Sequence, residues 1–137
     1  MKDIVIAFRK IIEYAPILYA LVFLLFFSLL LFLRRRAIVR RSGGPFFVPF
    51  HINRGVFYIH VSLCFSRRMI PLKEIKQITY AIFRGRSGGG SRYAFYIELR
   101  NGKTIHFFFG KSKRNEELVN KLKQNAGKYG FKVHFQR

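Results

Sequence analysis

The sequence predicts an α+β protein: an N-terminal transmembrane helix, then a small antiparallel β-barrel or sandwich capped by one C-terminal amphipathic helix. Three observations predict it. Residues 15–33 (APILYALVFLLFFSLLLFL) carry no formal charge and run directly into Arg34, Arg35 and Arg36. Between Phe46 and Phe109 apolar residues recur with period two, and from Ser112 to Ala126 the period becomes that of a helix.

The uncharged run, as a helix rising about 1.5 Å per residue, reaches roughly 27 to 29 Å, close to the hydrocarbon thickness of a bilayer. It spans a membrane once. Residues 34–41 (RRRAIVRR) hold five arginines, whereas residues 1–14 set Lys2, Arg9 and Lys10 against Asp3 and Glu13. The positive-inside rule then places the N-terminus outside and the C-terminal side in the cytoplasm, as a single-pass protein of the inner or plasma membrane. The run is too long for a signal-peptide core and ends in arginines instead of a small-residue cleavage site, so it is expected to be a retained anchor.

Residues 1–14 form a short amphipathic segment, with Ile4, Phe8, Ile11 and Ile12 at helical spacing; it either lies in the interface or extends the span. Pro16 suits a first helical turn and marks an angle between the two pieces. Residues 34–45 read as a basic juxtamembrane linker ending in Ser42-Gly43-Gly44-Pro45. Residues 46–137 then make one cytoplasmic domain, since 104 residues after the span suffice for one small core and not two.

The first strand, Phe46 to Ile52, contains Pro49 and belongs at an edge or is irregular. Asn53-Arg54-Gly55 is a turn, and Phe57, Ile59, Val61, Leu63 and Phe65 alternate with polar positions as a half-buried strand. Met69 to Leu72 is a short strand ending at Pro71. In residues 73–83 Ile78, Tyr80 and Ile82 share one face and Thr79, Ala81 and Phe83 the other. After the glycine-rich loop 84–92 (RGRSGGGSR), residues 93–109 form a hairpin around Asn101-Gly102, with Tyr93, Phe95, Ile97, Ile105, Phe107 and Phe109 inward. Leu118, Val119, Leu122 and Ala126 stripe a helix over about 113–126, capped by Ser112 or Asn115 and ended by Gly127. A final strand, about 131–135, follows Tyr129-Gly130.

Three pieces of this order resemble the bacterial pleckstrin-homology-like domains of small membrane proteins: Ile70 to Ile78 (IPLKEIKQI), Leu99 to Ile105 (LRNGKTI) and Glu116 to Leu122 (EELVNKL). The resemblance implies a seven-stranded, strongly bent barrel with a capping helix, used for docking to lipids or proteins and not for catalysis. It carries over no site, because the connection Asn53-Arg54-Gly55 is shorter than the basic loop of lipid-binding relatives. The strand after the helix also lies beyond the usual terminus and is expected to pair with a barrel edge or a partner chain.

Of 26 basic residues, 23 follow the span, against Glu74, Glu98, Glu116 and Glu117, a formal +19. Such a domain beside an anionic leaflet is drawn to it, each surface Lys or Arg contributing on the order of 1 kcal/mol. The expected lipid or acidic-partner contacts are Arg34, Arg35, Arg36, Arg40 and Arg41, with Arg84, Arg86 and Arg92 at a basic hairpin tip. Tyr58, Tyr96 and Phe108 are the candidate protein interface, since large aromatics on a non-core sheet face are what a partner covers. One cysteine, Cys64, rules out an intrachain disulfide, and His51, His60, His106 and His134 are too scattered for a metal cluster and read as sheet-face residues. Four glutamates suggest no catalytic pair, and loop 85–91 lacks the lysine of a phosphate-binding loop, so neither enzyme chemistry nor a cofactor is expected. The expected function is a membrane-anchored docking module for anionic lipid, a protein partner, or both. The alternatives are an accessory subunit of a larger membrane complex and, less in keeping with the anchor, a tethered nucleic-acid binder.

Overall fold

The computed structural model describes every residue except Ser87, and of Lys2 the backbone alone. It divides into two units, Met1–Arg34 and Arg35–Arg137. The first unit is helix. Helix α1, Lys2–Ser42, continues through Pro16 and carries on past Leu33, so the arginine-rich stretch is helical and the first expected irregularity, at Pro16, does not end the helix. Its side chains from Ile4 to Leu30, apart from the half-buried Ala15, are exposed on all sides, and it is long and apolar enough to cross a membrane.

The helix stops where the sequence stops favouring it. Gly43 adopts φ +68, the left-handed conformation that ends a helix, and its N–H donates to the Val39 carbonyl at 3.0 Å. Gly44 follows because nothing larger fits: a Cβ there would lie 2.5 Å from His51 Cγ.

The second unit holds two sheets. The first is antiparallel, in the order β1 (Phe50–Asn53), β2 (Val56–Ile59), β3 (Met69–Pro71). Arg54 (φ 48) and Gly55 (φ 74) make the two-residue turn between β1 and β2, both in the left-handed region that this tight hairpin demands. A single 3-10 turn, Leu72–Glu74, leads into β4 (Ile75–Arg84). The second sheet has the order β6-β5-β4-β7, with β5 at Ser91–Leu99, β6 at Thr104–Gly110 and β7 at Lys132–Phe135. Helix α2 (Lys113–Tyr129) connects β6 to β7, which lies parallel to β4 with Ile78 opposite Val133.

Among the described residues six strands precede α2 and one follows it, where the resemblance implies seven before the capping helix, and the expected closure is absent. Among the described residues no strand ladder joins the two sheets, so they form two stacked layers and not a barrel. The antiparallel expectation also fails at β7, because a strand reached through a crossover helix returns in the parallel sense. That strand pairs with a sheet edge within the chain.

Three elements differ from their sequence pattern. The strand expected through Phe65 ends at Ile59, where Ile59 N–H donates to Arg68 O at 2.8 Å and the next amide, of His60, turns to Pro49 O at 2.9 Å. The alternation slips there, so Cys64 is buried while Leu63 and Phe65 are 61% and 77% exposed. Helix α2 continues past Gly127 to Tyr129, and Gly130 (φ +81) ends it. Of the two proposed caps, the Ser112 hydroxyl accepts from Asn115 N–H. Ile82, on the same face as the buried Ile78 and Tyr80, lies in the exposed part of β4.

The core sits between the sheets and α2. Phe50 and Phe57 of the first sheet stack 5.1 Å apart, Phe50 meets Phe95 at 5.5 Å, and Phe95 meets Phe109 at 5.0 Å. Val119, Leu122 and Ala126 of α2 complete the cluster. Each fully buried ring or branched side chain contributes about 1.5–3 kcal/mol by leaving water.

Candidate functional site

The last two turns of α1 have two faces. Arg35, Ile38 and Ser42, at spacings three and four, belong to the second unit and turn toward its remaining residues. Ile38 and Ser42 are buried, and Arg35 Nε and Nη2 donate to the Phe46 carbonyl at 3.0 and 2.8 Å while its guanidinium lies 5.1 Å from the Phe46 ring. Arg35, expected on the leaflet, holds residues 46–48 through these contacts. Arg34 is half-buried, and Arg36, Arg40 and Arg41 are exposed.

Ser42 is the second tie. Its hydroxyl is 2.7 Å from His60 Nε2, its carbonyl accepts from Asn53 Nδ2 at 2.8 Å, and Gly44 N–H donates to its Oγ at 3.1 Å. His60 Nδ1 lies 3.1 Å from the Val48 carbonyl. A carbonyl only accepts, so Nδ1 carries the ring proton and the unprotonated Nε2 takes the single serine proton in preference to the Val39 carbonyl, 3.0 Å from the same hydroxyl. Burial pushes the ring pKa down to about 4, leaving it neutral at pH 7. His60 is thus a buried structural residue and not a sheet-face one.

The β4–β5 end gathers the hairpin arginines. Phe83 pairs with Arg92 and Arg84 with Ser91, and Gly85 N–H donates to Gly90 O at 3.1 Å. A side chain at Gly85 would meet Gly89 O at 2.6 Å, so the loop closes this tightly only because glycine stands there. Arg84, Arg86 and Arg92, all exposed, surround a shallow hollow of about 370 Å³ together with Phe83, Gly85 and Gly89.

Beside this hollow lies a cleft of about 590 Å³. One wall is the segment 61–66 with Leu63 and Phe65; the other carries Phe83, Arg92, His106 and Phe108. Phe83 and Phe108 are about half exposed, at 53% and 50%. On the same sheet face Tyr96 lies 6.4 Å from the His106 ring and His106 6.2 Å from Phe108.

The structure therefore brings Arg84, Arg86 and Arg92 next to Phe108 and, through His106, to Tyr96. Tyr58 is elsewhere, half-buried on β2 opposite His51 and Met69. Leu63, Phe65, Phe83 and His106 join the site without having been singled out from sequence. For Phe83 a signal was present, since the alternation set it on the face opposite Ile78 and Tyr80, next to Arg84.

Glu74 precedes β4, and Glu98 shares the Tyr96 face at its far end, opposite Thr104; neither lines the hollow or the cleft. Glu74 pairs with Arg67 at 2.6 Å, and Glu98 accepts from Lys76 at 2.7 Å and Gln77 at 2.6 Å, contacts that lower its pKa. Among the described residues no group of three or more His, Cys, Asp or Glu is placed to hold a metal ion. What the site offers is apolar contact area beside fixed positive charge. Compared with protein-family models, with curated proteins and with solved structures, the chain matches none.

Proposed function

We propose that this chain is a single-pass, membrane-anchored docking module, non-catalytic, with its domain on the cytoplasmic side of the cell membrane. The apolar part of α1 anchors it, and Arg36, Arg40 and Arg41 engage anionic headgroups at the inner leaflet. Arg84, Arg86 and Arg92 supply a second anionic contact. The observation that carries the docking reading is the cleft: Leu63, Phe65, Phe83 and Phe108 are exposed together, beside three arginines and with no carboxylate in the lining. Apolar side chains gathered in this way mark a contact surface, whereas scattered ones do not.

The full chain in sealed right-side-out membrane vesicles tests the orientation, and in nanodiscs the lipid contact. Protease digestion of sealed vesicles is expected to spare the domain from outside attack, and native mass spectrometry is expected to show retained anionic phospholipid that added salt removes. Equal retention of zwitterionic lipid would overturn the leaflet contact. The same cleft also supports an accessory-subunit role, which a stoichiometric complex surviving mild detergent would favour.

A further inference from the structure

The cleft has a feature beyond its apolar lining: it runs along the edge of a strand. Strand β6 is the outermost strand on its side of the sheet. Lys111 N–H donates to Ser91 O and Leu99 N–H to Lys103 O, which fixes the phase of the β5–β6 ladder. Ile105, Phe107 and Phe109 therefore exchange their main-chain bonds with β5, and the N–H and C=O groups of His106 and Phe108 point the other way. Among the described residues no hydrogen bond reaches those groups. The Gly110 carbonyl, at the end of the row, is taken by Asn115 Nδ2 at 2.7 Å.

The lining agrees with this geometry. His106, Phe107 and Phe108 all border the cleft. Successive strand side chains point to opposite faces, so three in a row share one cavity only when it lies beside the strand's edge. Facing that edge is the wall of residues 61–66, which leaves the cleft open between them.

Edge strands are ordinarily blunted by lysine, proline, an inward charge or a bulge. Residues 104–110 (TIHFFFG) hold none of these, and their burial alternates without interruption along all seven positions. The edge is regular, uncharged and open.

Charge selects what can lie there. Arg92 lines the cleft at the register position of Gly110, and Arg84 and Arg86 adjoin it. We infer that the edge of β6 takes an extended segment of an acidic partner protein, added as a fifth strand to the sheet, with alternate apolar side chains in the cleft and a carboxylate against Arg92 at the Gly110 end. Main-chain bonds to His106 and Phe108 supply the affinity, and the cleft and Arg92 the selectivity. The contact from Thr104 to Phe108 is about five residues long, roughly 17 Å of strand. This inference rests on the docking reading but not on its lipid half.

The test selects peptides from a displayed library of random eight-residue sequences on the full chain in zwitterionic nanodiscs, where leaflet charge plays no part. The expected winners alternate apolar residues and carry Asp or Glu at one end. Their synthetic forms are expected to lose at least tenfold in affinity when alternate amides are N-methylated, and equally on the H106P chain, which loses the outward donor but keeps its β5 ladder. R92E is expected to shift the selection to Lys-ended sequences. No enrichment over empty nanodiscs, or affinity indifferent to N-methylation, would overturn the inference. Peptide binding without any preference for anionic lipid in the nanodisc would sustain the groove and sink the leaflet contact separately.

Discussion

The Ser42 hydroxyl and His60 Nε2 stand 2.7 Å apart, joining the last residue of α1 to the segment that follows β2. The bond is buried and charge-free, and the ring's other nitrogen is held by Val48. A folded-state pKa near 4 against an ordinary 6.5 means that the fold favours the neutral ring. Its stabilisation is complete above pH 6.5 and is lost as pH falls toward 4. Linkage puts the loss at about 3 kcal/mol. Denaturant titrations of the full chain at pH 7.5 and pH 4.5 are expected to differ by that order, and H60Q is expected to flatten the difference. An unchanged midpoint in the wild type would contradict the buried neutral ring.

Gly44 packs its Cα hydrogen face on His51. A methyl group there meets Cγ, Cδ2 and Cβ of that ring within 3 Å, which the side chain cannot escape by swinging its tip. Gly44→Ala is expected to cost about 1–3 kcal/mol, the range for overpacking, and the combination with H51A to recover part of it. Thermal melts of the three variants measure the coupling.

Two phenylalanines near each other in sequence separate core from surface. Phe57 is fully buried against Phe50, whereas Phe65 is 77% exposed. Phe57→Ala is expected to cost about 3–5 kcal/mol. Phe65→Ser is expected to stay within about 0.5 kcal/mol in stability and to weaken partner binding. If Phe65→Ser unfolds the chain, the segment 61–66 belongs to the core and the cleft has been misassigned.

The arginines of α1 are expected to divide in the same manner. Replacing Arg36, Arg40 and Arg41 with Gln is expected to reduce retention of anionic lipid, by about 1 kcal/mol per residue at low salt, and to leave the melting temperature unchanged. Arg35→Gln removes donors from the Phe46 carbonyl and is expected to lower the melting temperature instead. Lipid retention by native mass spectrometry and a melt on the same samples separate the two effects.

Much of the fold was legible where short-range chemistry decides it. The β5–β6 register sets Tyr93, Phe95 and Ile97 opposite Phe109, Phe107 and Ile105, as the alternation around Asn101-Gly102 requires. The path of residues 60–65 was not legible, because its alternation continues that of Phe57 and Ile59. What breaks the strand is His60, whose partners Ser42 and Val48 lie 18 and 12 positions away. Gly127 and Gly130 are both plausible helix ends by local chemistry. Burial of Phe131, whose N–H donates to Ala126 O at 3.3 Å, selects the later one.

The basic half of the site was read from composition, since charge needs no tertiary contact to be counted. The apolar half was only partly read. Leu63 and Phe65 share the pattern of core residues, and Tyr58 shares that of Tyr96, but their sheets differ. Open closure of the two sheets follows from β7: a strand that leaves α2 in the parallel sense occupies the edge of β4 and gives the second sheet a partner that period-two patterning does not specify.

Both α2 and the three-stranded sheet lie on the same side of the four-stranded one, where Val119, Leu122, Phe50 and Phe57 share a cluster with Phe95 and Phe107. The other side carries Phe83, Arg92, Tyr96, His106 and Phe108, and at its centre the paired residues Ala81 and Ala94. The unit is thus a two-layer body whose outer layer has the surface of an inner one. A partner seated there turns the sheet into the middle of three layers. Ala81 and Ala94 at the centre of that face are already buried, so a third layer meets the exposed side chains of Phe83, Arg92, His106 and Phe108 before either methyl group.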